Sequence, residues 1–169
     1  MKHGEETRHL LLSWLNRRLA RRQQFQNISR LVIYRIGNIG DILCAVPAML
    51  AVREFFPRAQ VTLLTSPSRR GMPGAQELLS DAWFLDRIWT YYADEIATIR
   101  GRLELVAKMR AQGFQLWINL PNDRADHRRI VRDMIFAGMI GAGGAVGFEP
   151  GPPLPAYLTL LAPLEGSSA

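Results

Sequence analysis

Cysteine is nearly missing from this 169-residue chain: Cys44 stands alone. One thiol can form no internal disulfide and no cysteine-based metal site, and a reducing cytoplasm is its natural compartment. Other motifs are missing too. A P-loop needs a Gly-Lys-Ser/Thr ending, and none occurs. Ser13, Ser66, Ser68 and Ser80 lack the G-x-S-x-G setting of a serine hydrolase. A dinucleotide fingerprint needs three glycines and an acidic residue closing the second strand; here only Gly37-x-x-Gly40 and Leu64-Thr65-Ser66 are found. His127 has no partner at metal-ligand spacing and reads as a solvated histidine, and His3 and His9 are weaker candidates still. No apolar run approaches the roughly 20 residues of a membrane span.

What is present suits one domain with a real core, since 48% of the residues are apolar. The net charge of +6 is uneven. Residues 1–30 hold seven Lys or Arg against Glu5 and Glu6, a balance of +5, and the rest of the chain carries +1. A duplex reader would spread basic residues over its docking face, so the pattern argues against a nucleic-acid-binding body. Within residues 10–25, Leu11, Leu15 and Leu19 share one helical face with Leu12 beside them, while Arg17 and Arg21 sit well away from it. Arg18 and Arg22 fall near the apolar edge. Three readings of this arm stay open. It packs on this protein or a partner domain, rests on an anionic inner membrane face through Trp14 and the arginines, or is disordered. It is not a signal peptide, because basic residues follow the apolar run instead of preceding it.

From residue 31 onward short apolar runs alternate with helix-like ones. Strands are expected at 31–34, 60–65, 87–90, 116–120 and 145–148, and helices at 43–56, 75–79, 96–112 and 124–139. Phe56-Pro57 and Gly113 supply helix stops, and Pro47 requires the first helix to start just before it or to kink. The expected fold is an α/β domain over 31–148, a parallel sheet with flanking helices. The arm (1–30) precedes it. A Pro/Gly-rich linker or truncated tail (149–169) follows it, with Leu158, Leu160, Leu161 and Leu164 in need of cover. Trp83, Phe84, Trp89, Tyr91 and Tyr92 cluster around the third strand and read as core and rim.

The most informative residues are Arg35-Ile-Gly-Asn-Ile-Gly-Asp41, a turn from the first strand into the first helix. Gly37 and Gly40 allow the backbone to bend tightly or lie against a ligand. Asp41 stands about where the helix begins, able to cap backbone N–H groups or to face a bound molecule. Arg35 offers a fork of donors for an anion, or is a surface arginine at a strand end.

The longer run from Arg35 to Pro57 resembles the opening of the bacterial ADP-heptose:lipopolysaccharide heptosyltransferases, glycosyltransferase family 9. The matching positions are Arg35, Gly40, Asp41, Pro47, Ala48, Leu50, Arg53 and Pro57. Residues 59–64 look like that family's second strand, 85–91 like its third with Asp86 before the strand, and 113–148 like the fourth strand, its helix and the closing Gly147-Phe148. The resemblance covers about 31–148, the first half of a family member. It implies a Rossmann-like domain, one wall of a two-domain GT-B fold, and transfer of a sugar with inversion from a nucleotide-diphosphate donor, ADP-heptose. The acceptor is a lipopolysaccharide-core or related lipid-linked glycan. Asp41 would take the proton from the attacking hydroxyl, a task suited to an ionised carboxylate. Arg35, Gly37, Asn38, Gly40 and Arg124 would bind substrate. No cofactor is implied, because the donor is a co-substrate held mainly by a second domain. The cytoplasm is the expected location, with the inner face of the inner membrane following only from the membrane reading of the arm. No Asp-x-Asp occurs, so the metal–diphosphate clamp of the other common glycosyltransferase architecture has no support.

The family's fourth strand tends to end in Asp-Leu-Gln-Gly, a basic residue and serine, whereas this chain has Asn119-Leu-Pro-Asn-Asp-Arg-Ala125. A different acceptor, a divergent transferase or an inactive copy would each account for that. The expectation is a chain holding the acceptor half and inactive alone. The rival reading is an inactive truncated domain that binds sugar or a protein partner.

Overall fold

The computed structural model describes residues 27–67, 69–121 and 127–148. The arm from 1 to 26, Arg124, and the linker from 149 onward lie outside the described residues. Five strands, β1 (Arg30–Ile36), β2 (Gln60–Ser66), β3 (Arg87–Thr90), β4 (Leu116–Asn119) and β5 (Gly144–Val146), alternate with α1 (Ile39–Phe55), α2 (Ala75–Leu79), α3 (Ile99–Arg110) and α4 (His127–Ile140). All four strand pairings are parallel, in the order β3-β2-β1-β4-β5. Every carboxyl end therefore points to the same edge.

The strands lack a polar face because helices cover both sides. Leu31, Ile33, Val61, Leu63, Leu116 and Ile118 pack with Ile42, Ala45 and Met49 of α1 and Leu79 of α2. Val32, Tyr34, Leu64 and Trp117 turn the other way, onto Leu105 and Met109 of α3 and Ile130, Ala137 and Ile140 of α4. Leu31, Val32 and Ile33 are fully buried, each stabilising the fold by roughly 1.5–3 kcal/mol.

Several boundaries differ from those expected. The first helix starts at Ile39 and continues through Pro47 to Phe55. Asn38 is extended, and its N–H donates to Asp41 Oδ2 at 3.0 Å, so the start is fixed well before the proline. Pro47 has no N–H for the Leu43 carbonyl, but both residues are exposed and water can serve that oxygen. The third helix begins later than expected, at Ile99, because the Thr98 hydroxyl accepts from the Gly101 N–H at 3.1 Å and caps it there. It ends at Arg110, two residues short of 112, and Gly113 with φ +64° then turns the chain toward β4. The fourth strand ends at Asn119, one residue early. The fifth ends at Val146, because Gly147 takes φ +87° and swings Phe148 into the core.

At the amino edge of the sheet, Arg53 near the end of α1 donates to Phe84 O (3.1 Å), Ala59 O (2.9 Å) and Asp86 Oδ2 (2.6 Å). Asp86 also accepts from the Val61 N–H at 2.7 Å. Burial pushes the Asp86 carboxyl up, but the Val61 N–H and Arg53 outweigh it and hold the group below the usual carboxylate range.

Candidate functional site

The chain runs from β1 through β2 to β3 on one side, then crosses to β4 and β5 on the other. The order reverses between β1 and β4. At such a switch point the loops leaving neighbouring strands part in opposite directions, and open α/β sheets take ligands in the resulting crevice at the carboxyl edge. Here its walls are the Gly37–Asp41 turn after β1 and Leu120 and Pro121, which follow β4.

The first wall is built tightly. The Gly37 N–H donates to Ser66 O at 3.2 Å, tying the turn to the end of β2. Gly37 takes φ +152°, and a Cβ there would lie 2.6 Å from Asp41 Oδ2. Only glycine fits. The Asp41 carboxylate folds back over it, giving Oδ2 to the Asn38 N–H while Oδ1 lies 3.6 Å from Arg35 Nη2. The side chain stays 40% exposed, so capping and contact with a ligand are compatible. Gly40 differs, for a Cβ there would meet nothing within 4 Å. Its surface is open.

Arg35 is not a surface arginine; it is only 7% exposed. Its Nε and Nη2 donate to Asp41 O at 3.2 and 3.0 Å, and its Nη1 donates to Leu120 O and Pro121 O at 3.1 and 2.6 Å. The second wall has its own lock. Asn119, 3% exposed, donates its amide to Gly147 O at 3.1 Å. A Cβ on Gly147 would collide with the Asn119 carbonyl. An aspartate at 119 would set a buried carboxylate against that oxygen. The structure thus gathers Arg35, Gly37, Asn38, Gly40 and Asp41 at one crevice, while Arg124 is outside the described residues.

Sequence reasoning missed a polar cluster on the other face of the sheet. The Tyr34 and Tyr91 hydroxyls lie 3.0 Å apart. Burial first, and then nearby charge and hydroxyl partners, push the Tyr34 phenol far up; burial also raises Tyr91. Asp133 is raised by burial although Arg132 donates to it at 2.7 and 2.8 Å. No periodicity could have found it, because Tyr34 lies inside an apolar run and its partners are distant in sequence. A cavity of about 290 Å³ opens between β3 and α3, lined in part by Trp89, Tyr91, Glu104 and Lys108. No crevice residue lines it. Its Glu95 carboxylate is already engaged by Arg70 and the Tyr92 N–H.

Among solved structures, the chain is similar to the crystal structure of a glycosyl transferase family 9 protein from Veillonella parvula DSM 2008. Identity is 20% and the TM-score 0.54, over 69% of this chain and 31% of that one. The likeness is one of fold. It places this five-stranded parallel sheet in the Rossmann-like class used by a glycosyltransferase, and the chain spans about a third of that structure's length. No protein-family model matches the chain, and no curated protein matches it. Among the described residues no helix is long and apolar enough to cross a membrane.

Proposed function

We propose that this chain forms the acceptor-side wall of a glycosyltransferase. The enzyme transfers a sugar, with inversion, from a nucleotide-diphosphate donor of the ADP-heptose kind to a lipopolysaccharide-core or related glycan. The observation that carries the reading is the Asp41 carboxylate, held at the switch-point crevice by the Asn38 N–H and still 40% exposed. A group fixed by one oxygen and open to solvent can accept a proton from a hydroxyl attacking the sugar. The open surface over Gly40 gives an acceptor room beside it, and the N–H groups of the first turn of α1 suit an acceptor phosphate or carboxylate. The donor's base and diphosphate belong to a second domain facing this one, which would also keep water from the closed cleft.

The test assembles the chain with a donor-binding domain, ADP-heptose and a truncated acceptor, and follows ADP release coupled to sugar transfer. Asp41→Asn keeps an oxygen for the Asn38 N–H yet cannot act as base. It should lower kcat by about 10²–10⁴-fold and leave acceptor affinity nearly intact. Equal turnover by the variant would dispose of the assignment.

A further inference from the structure

The geometry points to Arg35 as a positioning residue that sets Asp41 relative to the wall after β4, and not as a group that binds the acceptor itself. This rests on the reading of Asp41 as the base. An arginine with an open donor edge would be expected to lie in the crevice with its fork toward the ligand. Instead one edge of the planar guanidinium, Nε and Nη2, grips the carbonyl of Asp41, and Nη1 grips the carbonyls of Leu120 and Pro121. A single rigid group thus spans the two walls, from the first turn of α1 to the end of β4, across 85 positions of sequence. Because the fork is planar and its donors are fixed, it sets a spacing as well as a charge. A lysine could supply the charge, but its single ammonium cannot serve both walls with that geometry.

Burial supports the assignment. Arg35 is 7% exposed, and its guanidinium lies closer to the Asp41, Leu120 and Pro121 carbonyls than to the Asp41 carboxylate, which stands 3.6 Å away. Those four contacts, at 2.6 to 3.2 Å, go to main-chain oxygens. They hold the backbone of the proposed base, so a shift in either wall would be transmitted to the carboxylate. Reacting groups must meet within a few tenths of an ångström, and a misplacement of about 1 Å can cost roughly 10²-fold in rate.

Arg35→Lys in the full chain tests this in two ways. Hydrogen exchange is read first, which needs no substrate. Residues 37–43 and 116–121 should exchange at least about five-fold faster, with 61–66 and 87–90 unchanged. No change at 116–121, or an equal rise in all four segments, would overturn the link between the walls. Arg35→Gln, which keeps an amide donor and loses the charge, serves as the second variant and should show the same two-segment pattern. In the assembled transferase, Arg35→Lys should lower kcat at least ten-fold with acceptor KM within about two-fold. A raised KM at unchanged kcat would mean that Arg35 binds the acceptor directly, and wild-type kcat in the lysine variant would mean that charge alone suffices. Should Asp41→Asn retain full turnover, the base assignment fails, while the exchange result still decides whether Arg35 joins the walls.

Discussion

Gly37 and Gly40 stand three positions apart in one turn, and their surroundings make opposite demands. At Gly37 a methyl group would strike the Asp41 side chain, and the backbone lies where other residues are strained. Gly37→Ala should therefore cost roughly 1–3 kcal/mol in urea unfolding. At Gly40 the added methyl meets open space, and alanine favours helix over glycine by up to about 1 kcal/mol. Gly40→Ala should keep or slightly raise the unfolding midpoint while weakening acceptor binding in a titration. A variant that binds as well as the parent would show that nothing lies against that surface. Asn119→Asp should destabilise the fold by about 1–3 kcal/mol, because its amide donor to Gly147 O is replaced by a buried carboxylate. The turn itself was legible, since glycines and an acid between a strand and a helix have few other uses. The arrangement of Arg35 was not, because its partners are carbonyls, which every residue has and no sequence marks.

At the scale of elements, the alternation of strand and helix could be read because each apolar run is short and bounded by Gly or Pro. Boundaries were harder. Pro47 dominates its window, so the cap at Asn38, which depends on where the Asp41 side chain folds, stayed hidden behind it. The end of β5 hangs on the φ of one glycine. Arg53 and Asp86, which carry part of the family resemblance, prove to join the end of α1 to the starts of β2 and β3, at the edge opposite the crevice. They hold the scaffold together on that side. Asp86→Asn should cost on the order of 1 kcal/mol at pH 7, an amount that allows for its 43% exposure. The folded-state group titrates below the usual aspartate range. Its contribution is thus complete above that range and lost as pH falls through the lowered value. Urea midpoints of parent and variant should differ at pH 7 and draw together as the pH falls below the usual aspartate range; a gap of unchanged size there would assign the loss to packing.

Across the whole molecule, protection should follow position in the sheet. β1 pairs with both β2 and β4 and is covered on both faces, whereas β3 and β5 are edges. Amides of β1 should exchange slowest and those of β3 and β5 fastest, with β2 and β4 between them, in a native-state exchange profile. Uniform protection would mean that the sheet opens only as one unit. The switch point has a further consequence, for the order of assembly. β1, α1 and β2 are consecutive, so their contacts close short loops, but β4 must reach back across 85 positions to settle beside β1. Closing so long a loop is entropically costly and kinetically late. The crevice has one wall from each side of that closure. A chain halted partway through folding can hold the glycine turn and its aspartate in place, yet it has no crevice until β4 arrives, so ligand capture would report a late event of folding.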